Sequence, residues 1–197
     1  MADCIVFWQR MLTPHMTQLA RELARAGAEV HFFTEEVLSE ERRAMGWRAD
    51  DVDSVAMQLI GSAEEVAYCL AHLPANAVHV TQGVRSNGFI ADAQKLIITK
   101  GLQHYAIMEK VDLRGLLGKI RPLIYAIRFW GMARGLDGIL AVGEGNVKWI
   151  INRAPRNMSV YPFAYFLAGA CETSPVRPGF KFKFIFVGSL IRRKRVS

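Results

Sequence analysis

Side chains that could perform chemistry lie at or shortly after short apolar runs of the chain. Four such positions are His15, Gln82, Gly83 and Glu109. An imidazole, an amide and a carboxylate can hydrogen-bond to a substrate hydroxyl, and an imidazole or a carboxylate can also take its proton. A carboxylate directly after a buried run needs a polar partner, so Glu109 is a candidate contact for an acceptor hydroxyl or for a hinge. Two alternatives stay open: a solvated first helical turn at His15, and an ordinary strand-to-helix turn at Gln82 and Gly83.

The other histidines are predicted to have structural roles. His31 and His79 fall inside predicted strands, and His104 just precedes one. His72 ends a predicted helix, where a cation is favourable. The sequence contains no HExxH motif, no paired cysteine–histidine spacing and no acidic calcium loop, so we expect no metal site.

Apolar runs of strand length alternate with segments of helical period along most of the chain. The predicted strands span residues 4–8, 29–34, 54–60, 77–81, 105–108, 138–142 and 158–161. The predicted helices span 14–27, with Thr13 as its cap, then 62–72, 87–100, 113–134 and 146–151. Such alternation implies crossover connections and a parallel sheet covered on both faces. The sequence therefore predicts an α/β fold with a Rossmann-like, doubly wound, mostly parallel sheet.

The predicted fold identifies where a ligand would bind. In a doubly wound sheet, ligands bind outside the carboxyl ends of the strands. His15, Gln82, Gly83 and Glu109 all occupy such positions, and they are the candidate residues of a cleft. A dinucleotide site is not expected there, because the turn after the first strand has no glycine. The Gly-Glu-Gly motif at 143–145 follows a late strand and lacks the third glycine.

Residues 113–134 have two interpretations. Their apolar residues recur at helical spacing, and a row of arginines runs along one edge of that stripe: Arg114, Arg121 and Arg128. The segment could lie on an anionic membrane surface, or it could be a helix that covers the sheet while its arginines reach solvent. Pro122 is predicted to break the helix and to misalign the row.

The end of the chain has a different composition. Residues 1–163 are predicted to form one domain, and residues 164–180 have the proline, the glycine and the lack of period typical of a linker. Residues 182–187 read as a new strand, followed by a basic cluster at 192–195. A lone strand would expose an apolar edge. We therefore expect residues 181–197 to begin a second α/β domain that this chain lacks.

Composition excludes several classes of protein. The formal net charge is +7, but the four basic residues at 192–195 account for more than half of it, leaving +3. A general nucleic-acid binder, which needs basic residues spread over a surface, is therefore not indicated. The three cysteines form no CxxC pair, and no secretory signal or continuous apolar span is present. The sequence predicts a soluble cytoplasmic protein, with peripheral contact to a membrane left open.

Four segments, in order along the chain, resemble retaining glycosyltransferases of family four, which have the GT-B fold. The run F-I-F-V-G-S-L-I-R-R-K-R at 184–195 is similar to the entry of that family's C-terminal domain. L-D-G-I-L-A-V-G-E at 136–144 resembles the penultimate strand of its N-terminal domain, and V-Y-P-F-A-Y-F at 160–166 its interdomain hinge. The opening 13–30 is similar to its first helix and second strand. The order and spacing of the segments carry the resemblance.

The resemblance implies that the chain is the N-terminal half of a GT-B fold with a truncated second domain. It implies a nucleoside-diphosphate sugar as donor, a carbohydrate or lipid-linked acceptor, and no other cofactor. Gly188, Ser189, Arg193 and Lys194 are the implied contacts of the donor phosphates, and Lys194 matches the family's diphosphate lysine. Ser189 and Arg195 depart from the family, which has arginine and glycine there. The family's paired glutamates lie in the missing domain, so catalytic residues stay unassigned and the chain alone is expected to transfer no sugar.

Two other functions stay open at this point. One is a non-enzymatic α/β module that binds a saccharide or a protein partner. The other is a peripheral membrane protein that uses residues 113–134. Binding to lipid vesicles that weakens with salt would favour the second, and folding without a second domain would favour the first.

Overall fold

A computed structural model of the protein describes residues 3–45, 55–84 and 88–166. Within these ranges the chain forms seven strands: β1 (Cys4–Met11), β2 (Glu29–Glu36), β3 (Ala56–Leu59), β4 (Val78–Gln82), β5 (His104–Met108), β6 (Gly138–Val142) and β7 (Ser159–Phe163). Six helices accompany them: α1 (Pro14–Arg25), α2 (Glu40–Ala44), α3 (Ala63–His72), α4 (Phe89–Lys100), α5 (Gly115–Met132) and α6 (Glu144–Ile151). The predicted alternation of strands and helices is confirmed.

The strands form one sheet in the order β3-β2-β1-β4-β5-β6-β7, and every adjacent pair is parallel. The chain proceeds outward from β1 to β3 on one side and from β4 to β7 on the other. The direction of winding therefore reverses between β1 and β4, which makes that gap the topological switch point. This is the α/β, Rossmann-like, doubly wound architecture that the sequence predicts, with a wholly parallel sheet among the described residues.

Helices cover both faces of the sheet, which explains why most residues of its central strands are apolar. Helix α1 packs on one face through Met16 and Ala20 against Phe7 and Phe32. Helices α3 and α4 pack on the other face against Val6, Trp8 and Phe33, and further along that face α5 and α6 cover Ala106, Met108 and Ile139.

One local prediction about helices was correct in part, and one was wrong. Thr13 occupies the N-cap position of α1, as predicted, but its side chain makes no capping hydrogen bond. Pro122 lies inside α5, which continues for ten residues beyond it to Met132. A proline inside a helix costs about 3 kcal/mol. Helix α5 nevertheless continues through Pro122, and Phe129 in its second half is fully buried.

The described residues contain no helix long and apolar enough to cross a membrane. Of the predicted linker, only Ala164, Tyr165 and Phe166 are described. The rest of the linker and the predicted second-domain segment 181–197 lie outside the described residues.

Candidate functional site

An open cleft lies at the carboxyl ends of β1, β4 and β5, directly at the switch point, with a volume of about 500 Å³. All four residues that the sequence singled out line it: His15, Gln82, Gly83 and Glu109. They come from the ends of two strands, β4 and β5, and from the start of α1, so the parallel sheet brings together residues almost a hundred positions apart.

Gln9 forms the floor of the cleft, and its side chain is only 5% exposed. Strand β1 continues to Met11, three residues beyond its predicted end, so Gln9 is a strand residue covered by its neighbours. Its amide nitrogen Nε2 is buried and has no hydrogen-bond partner among the described residues. Leaving a buried amide donor unpaired costs free energy, which a ligand oxygen in the cleft would recover.

His15 lies in the first turn of α1, directly after Pro14. Its ring stacks on the ring of Tyr165, with 4.6 Å between centroids and 23° between planes. The ring nitrogen Nδ1 is buried and lacks a partner among the residues that the structure describes. His15 therefore combines an apolar face with an unused polar atom at the edge of the cleft.

Tyr165 also lines the cleft, although the sequence did not predict it as a cleft residue. The segment after β7 was predicted to be linker, yet it turns back across the carboxyl edge of the sheet. The Tyr165 hydroxyl donates a hydrogen bond to Glu109 Oε1. The stack on His15 and this hydrogen bond together fix one wall of the cleft. The aromatic run at 160–166 was the available signal, because exposed aromatic residues in a linker are unusual.

Gln82 and Gly83 shape the opposite wall. The Gln82 side-chain oxygen accepts the backbone N–H of Arg10 at 2.9 Å, which ties the end of β4 to β1. Gly83 donates its N–H to the Ile107 carbonyl at 2.7 Å and has a φ of +72°, a conformation that favours glycine. These two residues therefore hold the strand ends in place as well as lining the cleft, and the turn interpretation offered for them is correct in part.

Charged side chains surround the mouth of the cleft. Arg42, Lys110 and Arg121 supply positive charge, and Glu109 and Asp112 supply negative charge. The Arg114 side chain donates to both carboxylate oxygens of Asp112, and these bonds lower the pKa of Asp112 to about 2. Asp112 is thus engaged with arginine, and Glu109 is the carboxylate that faces the stacked rings.

A buried polar network supports the cleft from below. The Gln94 side-chain nitrogen donates to the Gly83 carbonyl at 2.6 Å and to the Thr81 hydroxyl at 2.9 Å. The Thr81 hydroxyl in turn contacts His104 Nε2 at 2.9 Å. His104 was predicted to precede a strand. It is instead the first residue of β5 and is fully buried, because the strand starts one residue earlier.

His104 pairs across the sheet with His79, and both side chains are buried. Burial lowers the pKa of His104 to about 4, against the opposing effects of the Gly135 carbonyl and Asp137. Burial and the neighbouring His104 lower the pKa of His79 to about 4. Both rings are therefore neutral at pH 7, and His79 accepts the indole N–H of Trp8 at 3.3 Å. The predicted structural role of His79 is confirmed.

Other residues near the strand ends do not join the cleft. Asn146 is buried beside β5 and donates to the Met108 carbonyl at 2.7 Å. The Arg10 side chain reaches Glu35 at 3.5 Å. The predicted contacts of the donor phosphates lie outside the described residues: Gly188, Ser189, Arg193 and Lys194.

One cluster of potential metal ligands occurs at the amino end of the sheet, far from the cleft. Ligand atoms of Cys4, Glu29 and His31 lie within 4.8 Å of one another. Burial, with a smaller effect of Glu29, raises the pKa of the Cys4 thiol to about 11, so the thiol is protonated. His31 Nε2 and Glu29 Oε1 already contact each other at 2.7 Å. These contacts account for the three side chains without an ion.

The cleft presents polar groups and an apolar surface side by side. It offers an unpaired amide donor, an imidazole nitrogen, a carboxylate and a phenol, which can together donate to and accept from several hydroxyls. The stacked rings of His15 and Tyr165 add an apolar surface beside these groups. A few convergent polar groups on a partly apolar wall are the usual composition of a small-molecule site.

No protein-family model, curated protein or solved structure matches this chain. The resemblance to retaining glycosyltransferases therefore rests on the four sequence segments alone.

Proposed function

We propose that the chain is the acceptor-side domain of a retaining glycosyltransferase that uses a nucleoside-diphosphate sugar. The observation that supports this proposal is the cleft at the switch point, which gathers His15, Gln82, Gly83 and Glu109. Its polar groups suit an acceptor with several hydroxyls, and its position outside the strand ends would let a second domain close over it.

Within this proposal, the acceptor saccharide lies against the rings of His15 and Tyr165. Glu109 accepts a hydrogen bond from the attacking hydroxyl and orients it, and Gln9 donates to a second sugar oxygen. The donor sugar's bond to the diphosphate breaks ahead of formation of the new bond, through an oxocarbenium-like state. The acceptor oxygen then bonds to the anomeric carbon, and the proton of its hydroxyl passes to an oxygen of the departing diphosphate. By the same resemblance, Arg193 and Lys194 would stabilise the departing diphosphate by charge, and Gly188 and Ser189 would be further contacts of the donor phosphates.

A transfer assay tests this proposal. The gene product, in the length that its gene encodes, is incubated with a panel of nucleoside-diphosphate sugars and a mixture of saccharide and lipid-linked acceptors. We expect a product in which the anomeric configuration of the donor is retained. Transfer with inversion, or nucleotide-sugar turnover that a Glu109→Gln substitution leaves unchanged, would contradict the proposal.

A saccharide-binding module without transferase activity is the second candidate, and the same unpaired Gln9 donor favours it. This candidate differs from the first in one respect, because it needs no nucleoside-diphosphate sugar. Saccharide binding in the cleft, combined with the absence of transfer across the whole panel, would assign the protein to this class.

Substitution of Gln9 by methionine is expected to weaken saccharide binding without lowering the free energy of unfolding. The change removes a buried amide whose donor has no partner among the described residues, so the free energy of unfolding should stay unchanged or rise by up to about 1 kcal/mol. Saccharide binding should weaken by about fivefold, the effect of one neutral hydrogen bond. Urea unfolding and titration calorimetry measure the two quantities. A loss of stability with unchanged binding would make Gln9 a structural residue only.

A further inference from the structure

Helix α5 presents a continuous apolar face to solvent. Each of the following side chains is at least 36% exposed, and Leu116 reaches 81%: Leu116, Leu117, Ile120, Leu123, Ile124, Ile127 and Trp130. At about 100° per residue, these seven positions occupy one arc of about 140° around the helix axis. We call this arc the α5 apolar face. The stripe predicted from the sequence is thus real, but it points away from the sheet.

The α5 apolar face has cations at both of its edges. Arg128 follows Leu117 on one edge of the helix circumference, and Lys119 follows Trp130 on the other. Arg121 lies on the same edge as Arg128, but its side chain donates to the Asp112 carbonyl and lines the cleft. Helix α5 contains no aspartate or glutamate. The surface is therefore apolar at its centre and positive along both sides.

The opposite side of α5 attaches the helix to the domain. Only Gly118 and Phe129 are buried. The Phe129 ring lies edge-on to Trp149 at 6.3 Å and next to Tyr125 at 6.0 Å. Helix α5 therefore covers the sheet, as one of the two interpretations predicts, but it does so through residues that lie outside the apolar stripe.

We propose that α5 binds the surface of an anionic lipid bilayer, with its axis in the plane of the membrane and its apolar face among the acyl chains. Charge complementarity selects this occupant. An apolar stripe with basic residues on both flanks matches a hydrocarbon layer beneath negative headgroups. A second copy of the chain would place the same cations opposite one another with no acidic residue of α5 to offset them.

Membrane binding would place the cleft near the bilayer. The same helix contributes Arg121 and Tyr125 to the cleft and the apolar face to the lipid. A helix with its side chains is about 10 Å across, so the cleft would open within about that distance of the headgroups. An acceptor anchored in the bilayer could then reach Glu109, which extends the proposed function without depending on it.

Co-sedimentation with vesicles tests the proposal. The 197-residue chain is mixed with vesicles made of equal parts of phosphatidylglycerol and phosphatidylcholine, and separately with vesicles of phosphatidylcholine alone. We expect binding to the first that is about tenfold stronger than to the second and that weakens as salt is added. Equal binding to both, or binding to neither, would overturn the proposal.

Two matched substitutions locate the surface. Ile127→Glu puts a charge in the centre of the α5 apolar face, whereas Ile151→Glu makes the same change at an exposed isoleucine of α6. Exposures of 64% and 56% mean that neither change should unfold the domain, which circular dichroism checks. We expect Ile127→Glu to weaken vesicle binding by about tenfold and Ile151→Glu to leave it unchanged. Equal effects of the two substitutions would place any lipid contact elsewhere.

Sedimentation equilibrium without lipid tests whether a second copy of the chain, and not a membrane, covers the α5 apolar face. We expect a single species at the mass of one chain for both the parent and the Ile127→Glu protein. A dimer of the parent that Ile127→Glu dissociates would assign the α5 apolar face to a second copy and would overturn membrane binding. None of these measurements involves a sugar. A failure of the membrane proposal would therefore not contradict the proposed function of the cleft, which has its own tests.

Discussion

Replacing Glu109 with glutamine is expected to weaken saccharide binding by about thirtyfold, which corresponds to the loss of a charge-assisted hydrogen bond. Glu109 faces the stacked rings of His15 and Tyr165, where a sugar hydroxyl would lie. Glutamine keeps an oxygen that can accept the Tyr165 hydroxyl, so the wall of the cleft is retained while the charge is lost. Titration calorimetry of both proteins with the same saccharide measures the difference.

The matched control is Glu144→Gln. Glu144 also follows a strand of the sheet and begins a helix, but it does not line the cleft and instead pairs with Lys148 at 2.9 Å. Its substitution should leave the affinity unchanged. Equal affinities of the parent and the Glu109→Gln protein would remove Glu109 from the binding site.

Stability is expected to fall by about 2 kcal/mol when the pH is lowered from 7 to about 5.5, because His79 and His104 are buried as neutral rings. In the folded protein the pKa of each is about 4, whereas an unfolded chain restores values near 6.5. Between these values the unfolded state binds more protons than the folded state. Protons therefore favour unfolding, so the stabilisation present above pH 6.5 is lost as pH falls toward 4.

Urea unfolding at several pH values between 7 and 5.5 measures this slope. His72→Gln is the control, since His72 is exposed and its removal should leave the slope intact. The double variant His79→Gln/His104→Gln should have a flatter pH dependence, whatever its absolute stability. Two histidine ring signals that do not titrate above about pH 5 by NMR would agree with the account. A stability that is independent of pH over this interval would contradict it.

The fold could be predicted from the sequence because the local sequence patterns match the place that each segment takes in the sheet or beside it. Short apolar runs such as 4–8 and 138–142 fit strands buried on both faces, and Gly27 takes a positive φ of 93° just after α1 ends. Ligands bind outside the carboxyl ends of parallel strands, and this rule alone predicts four residues of the cleft from the sequence, before the order of the strands is known. It succeeded because parallel strands bring all such ends to one edge.

Other features could not be predicted, since they depend on tertiary contacts. The periodicity of α5 located its apolar stripe, but a period does not show which side of a helix faces the sheet. Tyr165 reaches His15 and Glu109 only because the chain turns back after β7. The burial of Gln9 depends on three additional residues of β1, and element boundaries are the least predictable part of a sequence pattern.

Amide chemical-shift mapping by NMR shows directly whether the cleft at the switch point binds a saccharide. The isotopically labelled chain is titrated with a panel of mono- and disaccharides that covers the common hexoses. We expect one class of sugar to shift the NMR signals of the Gln9 side-chain amide and of three backbone amides, those of His15, Gly83 and Glu109. Signals elsewhere should shift less. Shifts confined to other parts of the sheet, or no shifts with any member of the panel, would contradict saccharide binding in the cleft.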